Sequence, residues 1–276
     1  MEQVRIRLFF IVLLGASLLS GACTGRTPLV ISGASTDRVL FTPSLGESVK
    51  FSFMLSRNAR VSVKIFDSRD LLVTTIMERK RTRAGIVEAV WNGRDQEGRE
   101  VPDDAYTYTV EAETWWGEKV VYDLTDLTGG ERVYPKYLTI DRQTGTISYV
   151  ILEPARVRLN VGIRKSQDLE IPLAMLLDWA ARPPGLNSVA WDGWDSDHQI
   201  KFLGHKDFGM GFWAFSLPHN IVMTRGSKVA LTSYLRNHPA HREKRHARHI
   251  SRTLYKHAVP VSYTHLRAHE TVLDLV

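Results

Sequence analysis

Two segments of the chain show the same alternation of apolar and polar residues. Residues 61–65 read VSVKI and residues 157–161 read VRLNV. Successive side chains of a β-strand point to opposite faces of a sheet, whereas a helix repeats its apolar positions at every third or fourth residue. Each segment therefore predicts a strand with one buried face and one solvated face.

The alternation belongs to a longer internal repeat. Residues 51–65 (FSFMLSRNARVSVKI) align with residues 147–161 (ISYVILEPARVRLNV) at an offset of 96 residues. Residues 84–95 (AGIVEAVWNGRD) align with residues 184–195 (PGLNSVAWDGWD) at an offset of 100 residues. The additional residues of the second copy lie between its predicted strands, where loop insertions are tolerated. The repeat indicates two copies of one structural unit.

Short predicted strands separated by frequent turn signals are typical of an antiparallel sandwich. The sequence therefore predicts an all-β protein with two tandem antiparallel Ig-like β-sandwiches, at residues 39–119 and 139–226. The inter-domain connection, residues 120–138, is polar and contains two adjacent glycines. It is either a flexible hinge or a loop packed by Tyr122 and Tyr134.

Each copy has a tryptophan at the end of a predicted strand, followed by a tight-turn dipeptide. Asn-Gly and Asp-Gly are strong turn signals because these residues tolerate left-handed backbone conformations. We expect each indole to close one end of a sandwich core, and each following aspartate to accept hydrogen bonds from N–H groups of the turn. The predicted structural set consists of Trp91, Gly93, Asp95 and Tyr106 in the first copy and Trp191, Gly193 and Asp195 in the second.

A calcium site is the alternative for the second turn. Residues 192–197 read DGWDSD and bring three carboxylates together. The stretch lacks the Asp-x-Asp-x-Asp-Gly spacing and the distal glutamate of a calcium-binding loop. Turn capping is therefore preferred, and no metal or other cofactor is expected.

The first copy has the pattern of a known bacterial module. It reads VSVKIFDSRDLLVTTI and then AGIVEAVWNGRDQEGREVPDDAYTYTVEA. This resembles the Ig-like domain of the flagellar hook-capping protein FlgD and related modules of secreted bacterial proteins. The residues at 69–70 and 104–105 depart from the glycine-containing turns of that pattern, and the second copy matches it more loosely. The resemblance implies an Ig-like fold, because such modules share no activity.

The first 22 residues have the composition of a helical signal peptide. Two arginines precede an apolar run at residues 8–19, which is shorter than the roughly 20 residues of a membrane-spanning helix. Cys23, the only cysteine, follows small residues and resembles the lipidated cysteine of the bacterial lipobox. Ordinary signal cleavage and an uncleaved anchor are the alternatives. Residues 23–38 are expected to form a linker, and the protein to be exported and anchored in the cell envelope through an N-terminal lipid.

The other end of the chain has two unusual segments. Residues 227–260 are predicted to form an irregular, basic, histidine-rich tail. Residues 261–271 (VSYTHLRAHET) resemble the in-frame translation of a transposon-end sequencing adapter. We therefore exclude residues 261–276 from the fold as an artefact and expect the natural chain to continue beyond Pro260.

The net positive charge of the chain lies at this end. The chain carries a net charge of +6, with 36 Lys and Arg against 30 Asp and Glu. Residues 227–276 contain 9 of the basic and 3 of the acidic residues, which leaves 27 of each for the remainder. The predicted sandwiches are therefore neutral overall, and the charge pattern does not indicate nucleic-acid binding.

The sequence contains no arrangement that is typical of an active site. It has no Walker loop, no glycine-rich dinucleotide turn and no His-Glu-x-x-His motif. The histidines of the predicted sandwiches fall in turn-rich stretches, with no nucleophile of known pattern beside them. We therefore expect no catalytic residue in this sequence.

Two features are candidates for binding. Trp115 and Trp116 lie at the end of the last predicted strand of the first copy, and adjacent residues of a strand point to opposite faces. One indole therefore either packs against the second copy or forms an exposed binding anchor.

The histidines of the tail are the second candidate. Their spacing permits metal binding, attraction to an anionic polymer or membrane, or a solvated tail, and a frameshift near the adapter-like segment is a further explanation. The cluster consists of His238, His241, His246 and His249.

These observations predict a monomeric, non-enzymatic interaction or scaffolding protein of the cell envelope, with other envelope proteins as partners. The alternatives are an exported enzyme whose catalytic domain follows Pro260, and a metal or polyanion binder that acts through the histidine-rich tail.

Overall fold

The computed structural model describes residues 27–164, 170–237 and 244–245 of the 276-residue chain. Almost all regular structure in these residues is β, arranged in antiparallel sheets that pack face to face. The predicted all-β sandwich architecture is confirmed. Among the described residues, no helix is long and apolar enough to cross a membrane.

The first sandwich consists of two facing sheets. One has the order β1-β3-β6, and the other contains the order β7-β4-β5 with β8 paired to β7. The strands are β1 (Ile31–Thr36), β3 (Val49–Leu55), β4 (Ala59–Phe66), β5 (Leu72–Thr82), β6 (Gly85–Trp91), β7 (Ala105–Glu113) and β8 (Lys119–Tyr122), with the short strand β2 (Leu40–Phe41) before β3.

Alternation along the strands explains how the two sheets pack. In β3, Phe51 and Phe53 are buried while Lys50 and Met54 face outward, and β4 buries Val63 in the same core. A strand with this pattern is stabilised when its apolar face is covered by another sheet. The alternation of apolar and polar residues in the sequence therefore favours two sheets packed face to face.

The second sandwich repeats this strand order. One sheet has the order β9-β10-β13 and the other has the order β12-β11-β14, and both enclose a separate hydrophobic core. The strands are β9 (Leu138–Asp141), β10 (Thr146–Ile151), β11 (Ala155–Arg164), β12 (Glu170–Arg182), β13 (Gly185–Ala190) and β14 (Phe208–Ser216).

The chain then returns to the first sandwich. Strand β15 (Ile221–Thr224) lies between β7 and β2, antiparallel to the first and parallel to the second. These residues were predicted to belong to the second sandwich, within residues 139–226, and the structure differs at this point. An apolar strand of four residues can be buried at any open sheet edge, and its sequence pattern does not specify which sheet it joins.

Part of the predicted irregular tail also packs on the first sandwich. Helix α1 (Leu231–Asn237) places Tyr234 in the first core, where only 4% of its surface is exposed. Arg245 is buried and its guanidinium lies 2.9 Å from Asp123 and 2.8 Å from Asp126. These residues are ordered by tertiary contacts, which a count of local charges does not reveal.

Arg245 and the carboxylates around it stabilise one another's charges. Burial opposes the charge of Arg245, but hydrogen bonding to Asp126 and the charges of Asp70 and Asp123 outweigh it and raise its pKa. Burial likewise opposes ionisation of Asp123, but hydrogen bonds from Thr125 and Arg245 outweigh burial and lower the pKa of Asp123 from its ordinary value. Both groups are therefore charged at neutral pH.

The two sandwiches meet at a polar and an apolar contact. Arg156 of β11 and Asp104, which precedes β7, form a buried ion pair at 2.7 Å. Beside it, Leu217 and Ile221 form a small buried cluster that Ala181 of β12 partly covers. The connection at residues 120–138 contributes to both sandwiches, because β8 pairs with β7 and Val133 donates to Ala214 of β14 at 2.9 Å.

Candidate interaction surface

The Trp91 turn is built as a closed unit of hydrogen bonds. Trp91 is 1% exposed, and its Nε1 donates to the carbonyl oxygen of Arg94 at 2.9 Å. The Asp95 carboxylate accepts hydrogen bonds from the backbone N–H groups of Glu97 and Arg99, at 3.0 and 2.9 Å. The indole thus contributes to the core, while its polar edge and Asp95 hold the turn in place.

Asp95 is stabilised as a carboxylate. Burial alone would raise its pKa, but hydrogen bonds from the backbone and guanidinium of Arg99 outweigh burial and lower the pKa from its ordinary value. The Tyr234 hydroxyl lies 3.3 Å from the same carboxylate. The buried Tyr106 hydroxyl donates to the carbonyl oxygen of Pro102 at 2.8 Å, which fastens the start of β7.

The Trp191 turn uses the same kinds of hydrogen bond, although it is one residue longer. Trp191 is 7% exposed, and its Nε1 donates to the carbonyl oxygen of Trp194 at 2.8 Å. Asp195 accepts hydrogen bonds from the N–H groups of Gln199 and Ile200, at 2.7 and 3.1 Å. Asp195 is therefore engaged in holding its turn.

Two glycines allow these turns to close. Gly93 and Gly193 have φ angles of 73° and 91°, in the left-handed region that favours glycine. A side chain at Gly93 would also collide with Pro43, whose Cβ lies 2.7 Å from the position of an added Cβ. The requirement for glycine at Gly93 is therefore both conformational and steric.

The carboxylates of residues 192–197 are partly engaged with a histidine. Asp192 Oδ2 lies 3.0 Å from His198 Nε2, and the His198 ring stacks near the indole of Trp194. Within the described ranges, no group of three or more His, Cys, Asp or Glu is arranged to hold a metal ion. His238, His241, His246, His249 and Cys23 lie outside those ranges.

Trp115 and Trp116 occupy a tight turn and are not part of a strand. β7 ends at Glu113, and the turn closes when Thr114 N–H donates to the carbonyl oxygen of Glu118 at 2.9 Å. Trp115 projects from this turn with 79% of its surface exposed. The two indoles were expected to point to opposite faces of a strand, but they lie in a turn. Hydrogen bonding between Thr114 and Glu118 closes this turn.

A cation and a carboxylate support the base of the turn. The Arg57 guanidinium lies 4.5 Å from the centre of the Trp116 ring and 3.8 Å from Glu118. The indoles of Trp115 and Trp116 meet edge to face, with ring centres 5.5 Å apart. Glu118 also accepts a hydrogen bond from the N–H group of Leu29 at 2.8 Å. Trp115 is thus a large exposed side chain on a restrained support.

The neighbouring outer face of the first sandwich is polar and shallow. Arg79 and Lys119 lie 3.0 and 3.7 Å from the carboxylate of Glu113. The depression between them has a volume of about 100 Å³, smaller than the roughly 300–1,000 Å³ typical of small-molecule sites. This depression is therefore smaller than a typical small-molecule site.

Sequence reasoning named both tryptophans but missed Arg57 and Glu118, because their contacts join residues that are distant along the chain. It also missed the residues that join the sandwiches. No local signal identifies Arg156 as the partner of Asp104, although an arginine that follows an alanine at the start of a strand occurs in both copies.

Comparison with known proteins supports the assignment of the first copy. Residues 41–115 match the FlgD Ig-like domain family. This confirms the predicted resemblance for the first sandwich. No curated protein matches the chain.

Two solved structures show weak similarity. FlgD from P. aeruginosa has 16% sequence identity over 45% of this chain and 83% of its own, with a TM-score of 0.28. The C-terminal globular domain of an oligosaccharyltransferase from Pyrococcus abyssi has 10% identity over 65% of this chain and 44% of its own, with a TM-score of 0.14.

Proposed function

We propose that this protein is a non-enzymatic scaffolding protein of the cell envelope that binds a partner protein through the Trp115 turn. The observation that carries the proposal is the 79% exposure of Trp115 on a turn held by Thr114, Arg57 and Glu118. Tryptophan is enriched among the residues that dominate binding energy at protein interfaces. A restrained support lowers the ordering cost of binding.

The family match supports the scaffolding part of the proposal. A FlgD Ig-like domain is a structural module, and residues 41–115 match that family. In the first sandwich, Trp91, Asp95 and Tyr106 are engaged in holding turns, as the preceding hydrogen bonds show. Trp115, by contrast, is exposed on its turn and accessible to a partner.

A photo-crosslinking residue at position 115 is expected to give one discrete crosslinked product in intact cells of the source organism. The matched control is the same residue at Leu45, which is 78% exposed at a distant turn. The product formed at position 115 should be identified by mass spectrometry as a single protein. No such product should form at position 45. Equal products at both positions, or none at position 115, would show that this turn is not a partner site.

The second part of the proposal is a lipid tether at Cys23. Its support is the basic, apolar and small-residue pattern that precedes this cysteine. Acyl chains bind a bilayer with about 0.8 kcal/mol per buried methylene, so the wild-type protein should sediment with membranes. Cys23→Ser should move the protein to the soluble fraction, and Ser20→Ala is the control that should leave it with membranes. Release of neither variant, or of both, contradicts a tether at this residue.

A further inference from the structure

The outer faces of the two sandwiches carry different side chains at equivalent positions. β4 and β11 correspond in the repeat, and the residues that neighbour their outward-facing positions lie on β7 and β14. On β7 these neighbours are two glutamates and a threonine, and on β14 they are two aromatic residues and a glycine. The equivalent pairs are Arg60–Glu113, Ser62–Glu111 and Lys64–Thr109 in the first sandwich, and Arg156–Phe215, Arg158–Trp213 and Asn160–Gly211 in the second.

The first outer face is neutralised by its own ion pairs. Lys64 lies 3.2 Å from Glu111, and Arg79 lies 3.0 Å from Glu113. In the second sandwich, Trp213 takes the ladder position of Glu111, so Arg158 has an indole as its cross-strand neighbour where the first copy has a carboxylate. The same fold thus presents a self-paired charged face in one copy and an aromatic, cationic face in the other.

The aromatic rings of the second face form a connected group. A bulge in β12 places Trp179 with its ring centre 5.6 Å from that of Phe215. The guanidinium of Arg132 lies 5.6 Å from the centre of the Phe215 ring, and its Nη2 donates to the carbonyl oxygen of Phe212 at 3.2 Å. Trp213 is 37% exposed on the same face. We call this surface the Trp213 face, defined by Arg132, Arg158, Asn160, Trp179, Trp213 and Phe215.

Two buried polar atoms near Trp213 have no hydrogen-bond partner among the residues that the structure describes. They are Oδ1 of Asn160, a residue that is 6% exposed, and Nε of Arg158. Gly211 makes the arrangement possible, because an added Cβ would collide with Asn160 Oδ1 and lie 2.6 Å from the Trp213 ring. Buried polar atoms without partners are rare in folded proteins and call for an explanation. A ligand would explain them if it binds these two atoms when the Trp213 indole rotates away.

The chemistry of these atoms selects the class of ligand. Asn160 Oδ1 can only accept a hydrogen bond and Arg158 Nε can only donate one, whereas a hydroxyl group does both. Phosphate oxygens of a nucleic-acid backbone only accept, so they leave Asn160 unsatisfied. An indole ring offers a flat apolar face for the C–H face of a sugar, and guanidinium groups pair with carboxylates.

We propose that the Trp213 face binds a carboxylated polysaccharide, with Trp213 stacking on a sugar ring, Asn160 and Arg158 binding its hydroxyls, and Arg132 facing its carboxylates. The site is separate from the Trp115 turn, so the proposal stands or falls independently of the proposed protein partner.

The test measures binding of the full-length protein by isothermal titration calorimetry. The probes are polygalacturonate, alginate and hyaluronan, which are carboxylated glycans, and polyglutamate and oligodeoxythymidylate, which are anionic polymers without hydroxyl-rich sugar rings. At least one glycan should bind, while the other two polymers should not. Trp213→Ala should weaken glycan binding by about tenfold or more, as expected for loss of one stacking platform.

Matched variants separate this site from general charge attraction. Trp213→Phe keeps an aromatic face and should bind more tightly than Trp213→Ala. Lys64→Ala removes a cation from the corresponding outer face of the first sandwich and should leave glycan binding unchanged. Circular dichroism should show that each variant keeps its β structure, as expected because Trp213 lies outside the core.

Three results would overturn the proposal. They are the absence of binding to all three glycans, equal binding to polyglutamate or oligodeoxythymidylate, and loss of glycan binding in Lys64→Ala with retention in Trp213→Ala. Preferential binding of oligodeoxythymidylate would instead assign the face to single-stranded nucleic acid.

Discussion

Replacement of Trp91 by alanine is expected to lower the free energy of unfolding of the first sandwich by about 3–5 kcal/mol. Trp91 packs edge to face against Phe41 and Tyr106, with ring centres 5.6 and 5.3 Å away. The variant leaves a cavity among these rings and removes the indole N–H bond to Arg94. The effect is measured by urea unfolding, with hydrogen exchange to show which sandwich loses protection.

Two further variants test the specificity of this result. Trp191→Ala should destabilise the second sandwich by a similar amount, about 3–5 kcal/mol, because Trp191 packs against Phe202 and Phe208 in an equivalent core. Trp115→Ala removes an exposed indole and should change stability by no more than about 0.5 kcal/mol. An unaltered unfolding curve for both core variants would contradict the predicted role of these tryptophans.

Replacement of Val222 by aspartate is expected to destabilise the first sandwich by about 4 kcal/mol or more, because it buries a carboxylate without a partner. Val222 is fully buried in the first core although it follows the second sandwich along the chain. It pairs with Tyr106 of β7. Hydrogen exchange should therefore show loss of protection in residues 59–66 and 105–113.

The control for this prediction is Val229→Asp, which places the same charge at a position 37% exposed. Its stability should lie within about 0.5 kcal/mol of wild type. If Val222→Asp instead loosens β10–β14 and leaves β4 and β7 protected, β15 belongs to the second sandwich, as the sequence alone predicted.

Local patterns predicted the strands and turns because they depend on neighbouring residues. The alternation of VSVKI determines which face of β4 is buried, and the Trp-Asn-Gly segment predicts the turn after β6. The repeat predicted the second set of strands, and the structure shows the same pairing order in both. That the second sandwich is also of FlgD type, and that the chain is exported and lipidated, remain predictions.

The candidate binding surfaces were only partly predictable. An adjacent pair of tryptophans is visible in the sequence, but its restraint by Arg57 depends on a residue nearly sixty positions away. The Trp213 face depends on β11 and β14 being neighbours and on a bulge that turns Trp179 outward. Neither the neighbour nor the bulge is specified by a local pattern.

By itself, the sequence determined the alternation of buried and exposed positions, the Trp-turn-Asp units and the repeat, since each follows from residues that are close along the chain. Only the tertiary structure decided that β15 completes the first sandwich and that Arg156 pairs with Asp104. The physical reason is that an open sheet edge requires another strand and a buried charge requires an opposite charge. Which strand or which charge is nearby depends on the folded arrangement of the whole chain.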